Sequence, residues 1–393
     1  MRLALVKGDR LNPWHLLAWQ RLRRQPEVTA FRTAVVGTSL PEDERGLRFP
    51  LEYLPFDTED GPLLSRGRHL IEERLFERSP RIVPFHERLR DFDLVHSWEL
   101  YSDWTAEALA AQARYGRPLS VTAWDTIPLR FEGCDERRRR KARAAEQADR
   151  IVVPTEYGRR VLLQDGVDAA RIVLLPPAVD IKRFAPRAVD RGRFGLQGRD
   201  FVILFPGWVL PKRGIDYLFL ALRELLHAAP RGRRVRLLVT GTGPGTDRAQ
   251  TLARDLKLRE SCAFTGPLPY ALMPAVYNCA DVFALPDVIT PEWQEPLGMA
   301  VLEAMSCGVA VASMSQGGLG ELAGEASLQC PPNDGIALYE TLYHLMRQEP
   351  ERRQRAARSR EGVVQRYSMG RFVTAVANLY EVLLNPRRAR VLG

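Results

Sequence analysis

The chain has 393 residues, 45% hydrophobic and 27% charged, which are ordinary globular proportions that exclude a disordered or fibrous protein and suit two domains. No apolar run approaches the roughly 18 residues needed to cross a bilayer, and Cys134, Cys262, Cys279, Cys307 and Cys330 match no C-x-x-C spacing, so reduced thiols and no bound metal are expected. The formal charge is +9, yet eleven Arg against four Glu between Arg347 and Gly393 hold most of the excess. With no RNA-binding aromatic signature this argues against a nucleic-acid partner. It favours a basic tail lying on an anionic membrane surface or on the protein's own other domain.

Met1 to Val6 lacks the apolar core and cleavage site of a secretion signal and reads as the first strand of a cytoplasmic protein. Further strands are predicted at Ala34–Val36, Leu94–His96, Leu119–Thr122, Ile151–Val153 and Ile172–Leu174, with helices at Asp103–Tyr115 and Glu136–Ala148 between them. Pro176-Pro177 and the breakers from Pro186 to Gly198 mark a domain boundary, taken at 180/181. The rhythm then repeats. Strands are predicted at Phe201–Phe205, Arg236–Thr240, Ala263–Thr265, Val282–Leu285, Val309–Ala312 and Ser327–Gln329, and helices at Ile215–Ala228, Thr246–Lys257, Tyr270–Cys279 and Leu297–Ser306. A helical tail runs from Ile336 to Leu384, and its last part, Tyr367 to Leu384, repeats Phe372, Val376, Leu379 and Leu383 on one apolar face. Alternating strands and helices predict an α/β protein of two Rossmann-like, doubly wound domains facing a cleft.

The stretch from Pro291 to Gly308 is the most informative. Pro296 suits a first helical position and Gly308 a left-handed cap, so the amides of Leu297, Gly298 and Met299 are expected at a helix amino terminus, where they favour an anion. Eight helical residues rise about 12 Å. Glu295 and Glu303 can therefore each serve one end of an extended ligand such as a sugar–diphosphate–ribose.

This stretch resembles the E-x7-E signature of retaining glycosyltransferases with the GT-B fold, specifically glycosyltransferase family four. The likeness continues in Gly207-Trp-Val-Leu-Pro-Lys-Arg-Gly214, Gly241-Thr-Gly-Pro244, Phe264-Thr-Gly266, Tyr277 through Asp281 to Pro286, and Gly317-Gly318 with Glu321. In the first half it rests on Asp93 to His96, Ala148 to Thr155 and Leu175 to Asp180. The resemblance implies an enzyme that moves a sugar from a UDP- or GDP-sugar to a glycan, lipid-linked or small-molecule acceptor, retaining configuration without a metal or other cofactor. It implies that Glu295 contacts the donor sugar and Glu303 the ribose, and that Arg213 and Lys212 meet the diphosphate near Gly207, Gly241 and Gly243. Gly8, Trp124 and Asp125 are the acceptor-side candidates. The family usually has Arg where Trp208 stands, Lys where Arg213 stands, a glycine pair where only Gly8 stands, and His where Trp124 stands. These departures keep two alternatives open: a catalytically silent nucleotide-sugar-binding partner subunit, and a GT-B sugar-nucleotide epimerase.

Three other features have simpler readings. Asp91-Phe-Asp93 is expected to make a turn into a strand and Arg137–Lys141 a solvated helix face. Trp14, Leu17 and Trp19 are expected on a first helix packed on its sheet.

Overall fold

The computed structural model describes residues 1–8, 16–22, 26–33, 47–55, 82–124, 127–128, 130, 133–290, 293–295, 297–315 and 317–385. Ala34–Val36, Trp14, Asp125, Pro291, Pro296, Arg387, Arg388 and Arg390 lie outside them. The chain divides into two compact units, Met1–Pro176 with Phe372–Gly393, and Pro177–Arg371.

In the first unit β1 (Arg2–Val6), β2 (Glu27–Thr33), β3 (Leu51–Leu54), β4 (Leu94–Trp98), β5 (Leu119–Thr122), β6 (Arg150–Val153) and β7 (Ile172–Leu174) form one sheet ordered β3-β2-β1-β4-β5-β6-β7. Every pair is parallel. Burial on both faces explains why β1 reads as an unbroken apolar run from Leu3 to Val6 and why β4 is buried along its whole length. It also explains a strand that the pattern does not reveal: the second strand is Glu27–Thr33, disguised by the buried polar residues Thr29, Arg32 and Thr33, while the predicted Ala34–Val36 lies outside the described residues. Helices α1 (Asp103–Tyr115), α2 (Asp135–Gln147) and α3 (Glu156–Gln164) follow β4, β5 and β6. α1 and α3 are capped by Ser102 and Thr155, whose hydroxyls accept from the third amide beyond. The basic run on α2 is more than a solvated face, since half-buried Arg140 pairs with Asp103 and Lys141 lies 2.5 Å from Asp165.

The second unit repeats the plan. Strands β8 (Phe201–Pro206), β9 (Val235–Thr240), β10 (Cys262–Phe264), β11 (Val282–Leu285), β12 (Ala310–Met314) and β13 (Leu328–Cys330) are ordered β10-β9-β8-β11-β12-β13, again all parallel. Its helices are α4 (Ile215–Ala228), α5 (Thr246–Asp255), α6 (Met273–Asn278), α7 (Met299–Ser306), α8 (Gly317–Ala323), α9 (Gly335–Arg347) and α10 (Glu349–Arg366). Two cores flank the sheet, one centred on Phe205, Phe219 and Leu342 and the other on Phe283, Leu302 and Tyr277.

The tail is three helices rather than one. Pro350 in the first turn of α10 ends α9 at Arg347, and the Ser368 backbone pairs with Val179, which separates α10 from α11 (Met369–Leu384). On α11 Val376, Leu379 and Leu383 are buried, Phe372 sets its ring edge against Trp19 at 5.6 Å, and Trp19 Nε1 donates to the Tyr380 hydroxyl at 2.8 Å. Trp19 itself sits in a single 3-10 turn, Trp19–Arg21. No described helix is long and apolar enough to cross a membrane.

Candidate functional site

In a doubly wound sheet ligands bind beyond the carboxyl ends of the strands, where the strand order reverses. In the second sheet that point lies between neighbours β8 and β11. The loop after β8, 207–214, and the segment after β11, 286–290, meet there. The amide of Val288 donates to the carbonyl of Lys212 at 2.9 Å. Gly214 permits the approach: it has φ +69°, and a Cβ would stand 1.7 Å from the Pro286 carbonyl oxygen.

The loop pairing brings three charged side chains together. Arg213 Nη1 lies 2.9 Å from Asp287 and also bonds Glu295. Asp287 has no exposed side-chain surface, and Arg213 and Glu295 are nearly buried. Burial opposes charge on all three, and the outcome differs by partner. Burial and the neighbouring Glu295 raise Asp287 well above the carboxylate range, which Arg213 only partly offsets. Burial would raise Glu295 too, but Arg213 and the amides of Gly298 and Leu297 bring it below its ordinary value. The two carboxylates hold Arg213 above its ordinary value against burial. One guanidinium thus faces two carboxylates, of which Asp287 is the one pushed toward its neutral form.

The helix beyond Glu295 differs from expectation. α7 begins at Met299, not Leu297, and Gly298 is its N-cap in the left-handed region at φ +57°. A side chain at 298 would meet Leu319 Cδ1 at 2.3 Å. The amides of Gly298 and Leu297, expected to be open to an anion, donate to Glu295 Oε1 at 3.0 and 3.3 Å. Glu295 therefore holds the turn that leads into α7, while the N-cap Gly298 receives no side-chain capping bond.

Glu303, eight residues on, is buried at 6% exposure on α7. Tyr270 and Tyr277 donate their hydroxyls to its two oxygens at 2.6 and 2.7 Å. Burial outweighs these bonds and raises its pKa to about 7.

The remaining candidates divide. Lys212 points its Nζ at the Trp293 ring, 3.9 Å from its centroid, while Trp208 is 60% exposed. Gly207 and Gly241 pack on each other, since a Cβ at 241 would lie 2.1 Å from the Gly207 carbonyl oxygen, and one at Gly243 would lie 2.4 Å from that of Val209. Their backbones line the switch point because the loops need this closeness. In the first unit Gly8 follows β1 under Trp104, and the Lys7 ammonium, 5% exposed, sits 3.2 Å from the Trp124 ring centroid. Asp93 Oδ2 accepts the Arg2 amide at 2.7 Å, in a turn into β4. Among the described residues no group of three His, Cys, Asp or Glu is arranged to hold a metal ion.

Sequence reasoning missed Asp287, Tyr270, Trp293 and Lys7. Asp287 had a signal, an acidic residue directly after the apolar run 282–286 at the end of a strand.

Two Rossmann-like sheets with an E-x7-E segment at the second switch point define the GT-B class of proteins. The family described as Glycosyl transferases group 1 matches residues 186–362, and Glycosyltransferase Family 4 matches residues 15–183. A D-inositol 3-phosphate glycosyltransferase of Kineococcus radiotolerans is 32% identical over 337 residues, 77% of this chain and 72% of the relative. A GDP-mannose-dependent alpha-(1-6)-phosphatidylinositol monomannoside mannosyltransferase of Mycolicibacterium smegmatis is 36% identical over 191 residues, 46% of this chain and 47% of that protein. Among solved structures, Anabaena HepE in complex with UDP superposes with a TM-score of 0.77 at 16% identity, covering 97% of this chain and 100% of the other. Sucrose-phosphate synthase from Thermosynechococcus elongatus gives 0.75 at 18% identity, covering 98% and 100%. The chain belongs to the family 4, or group 1, glycosyltransferases.

Proposed function

We propose that the protein is a retaining glycosyltransferase that takes a sugar from a UDP- or GDP-sugar and passes it to a glycan, lipid-linked or small-molecule acceptor. The arrangement of Arg213 and Glu295 at the start of α7, with Glu303 on the same helix, carries the reading. Departure of the nucleoside diphosphate builds negative charge on the β-phosphate. Arg213, Lys212 and the amides from Leu297 to Met299 are the groups able to stabilise it, and fixed donors act more strongly on the transition state than on the ground state. Because Glu295 engages both Arg213 and two of those amides, donor binding requires its carboxylate to turn from them toward the sugar hydroxyls. Glu303 would accept the ribose hydroxyls, exchanging them with those of Tyr270 and Tyr277. The names of the relatives, a D-inositol 3-phosphate glycosyltransferase and a GDP-mannose-dependent mannosyltransferase, support a polyol or glycan acceptor, which Gly8 and Trp124 of the first unit would hold.

The exposed indole of Trp208, where the family places an arginine, favours the silent donor-binding subunit as the second reading. Thermal-shift titration with UDP, GDP and their sugar conjugates, followed by single-turnover assay of the stabilising donor, separates the two. Release of nucleoside diphosphate that falls in Glu295→Gln with nucleotide affinity retained supports the enzyme. Binding without release establishes the silent subunit.

A further inference from the structure

At the other end of the second sheet, where the strands begin, there is a cavity of about 540 Å³. Asp200 precedes β8, Asp281 precedes β11 and Ala310 opens β12, so the six residues of β8, about 20 Å, separate it from the loop at Gly207. It lies wholly within the second unit.

Its lining is dominated by one chemistry. Arg191, Arg199, Arg233, Arg352, Arg353 and Arg360 face it, against three carboxylates. Those carboxylates are engaged. Asp281 accepts from Arg191 at 3.2 Å and from Arg352 at 3.3 Å, and Glu349 pairs with Arg353 at 2.6 Å. Asp200 pairs at 3.2 Å with Arg234, which is not in the lining. Arg199 and Arg233 have no carboxylate partner among the described residues, and Nε of Arg233 is buried without a hydrogen-bond partner. Arg360 donates to the Ser306 carbonyl.

The helix and loops give this charge room. On α10 Arg352, Ala356 and Arg360 recur at intervals of four, so two guanidiniums flank a methyl-sized gap on one face. Gly198, Gly308 and Ala280 keep the opposite walls low. Burial pulls Arg352 below the usual guanidinium value even though Asp281 and Glu349 hold it up, and Arg233 and Arg353 add smaller lowering contributions. Planar guanidinium forks match the oxygens of phosphoryl groups, and the volume suits a small ligand.

We propose that this cavity is a second anion site, distinct from the sugar-donor site, that binds a phosphoryl group carried by a soluble phosphorylated compound or by the headgroup of an anionic lipid. The proposal goes beyond the transfer reaction and does not depend on it.

The test is calorimetric titration of inorganic pyrophosphate into the full chain and into Arg199→Ser/Arg233→Ser. Both proteins share the donor site, so the difference between them reports the cavity. A binding component at least about tenfold weaker in the double variant is expected, with the unfolding midpoint preserved. Exposed Arg199→Glu, which touches no core, should weaken the same component and decides the matter if the double variant fails to fold. Identical isotherms for wild type and Arg199→Glu overturn the proposal. Sedimentation with phosphatidylcholine vesicles containing about 30% phosphatidylglycerol identifies the source. Loss in the variants assigns a lipid headgroup, and unchanged sedimentation with weakened pyrophosphate binding assigns a soluble compound.

Discussion

Arg213 holds Asp287 at 2.9 Å and Glu295 with the same nitrogen, so one cation stands between two buried carboxylates on adjoining loops. Two acids sharing one base cannot both stay ionised without cost, and the raised Asp287 and lowered Glu295 show how the charge is divided.

Removing Arg213 should therefore be far worse than neutralising Asp287. Arg213→Ala leaves an ionised Glu295 buried without its cation and should cost about 3–5 kcal/mol in urea unfolding. Asp287→Asn mimics the neutral acid that the raised pKa favours and should cost about 1 kcal/mol. Equal losses would show that Asp287 is ionised in the folded protein.

Glu303 supplies a pH dependence of known sign. Its folded pKa of about 7 exceeds the ordinary 4.5, so between those values the folded chain holds a proton that the unfolded chain has released. Its stabilising effect is complete below about pH 4.5 and is lost as pH rises to about 7, at no more than about 1.4 kcal/mol per pH unit. Glu303→Gln, whose amide is neutral throughout, should flatten the slope for the second unit, read from the unfolding midpoint between pH 5 and 7. A slope unchanged in the variant would assign the effect elsewhere. The same substitution should weaken nucleoside diphosphate binding in titration.

His96 gives the first unit the opposite slope. Burial, and secondarily Lys7, lower its pKa from 6.5 to about 3, while its ring nitrogens meet Tyr380 at 2.6 Å and Thr122 at 2.7 Å. The unfolded chain takes up a proton below about pH 6.5 that the folded chain refuses, so stability is complete above that value and falls toward pH 3. His96→Gln should remove this acid sensitivity. Fluorescence of Trp19 and Trp98, which pack against the His96 ring, follows the first unit directly. Acid unfolding unaltered in that signal would contradict the assignment.

Strand periodicity and loop glycines carried most of the architecture: α1, α4, β5, β7 and β11 occupy the residues predicted for them. β2 escaped because its buried residues include the polar Thr29, Arg32 and Thr33, which break the apolar pattern. The site was legible as a motif and illegible as a network. Glu295 and Glu303 stand out by spacing, but that Glu295 bonds Arg213 across 82 residues, or that Tyr270 and Tyr277 close on Glu303, depends on loop pairing that local sequence does not encode.

The closing helix yields the last prediction. Val376, Leu379, Tyr380 and Leu383 are buried in the first unit. Removing such side chains forfeits roughly 1.5–3 kcal/mol each, together comparable with the 5–15 kcal/mol that holds a typical domain. Truncation after Arg371 should therefore unfold the first unit, which would otherwise expose the Trp19 ring and leave Trp19 Nε1 and His96 Nδ1 without the Tyr380 hydroxyl. Tyr380→Phe isolates the polar part. It keeps the ring, removes one hydroxyl shared by two buried nitrogens, and should cost about 1–3 kcal/mol in the Trp19 signal. Truncation after Asn385 removes only residues 386–393, with Arg387, Arg388 and Arg390, and should leave that signal unchanged while weakening sedimentation with anionic vesicles by about 1 kcal/mol per arginine. A first unit that stays folded after loss of 372–393 would show that the helix rests on it without supporting it.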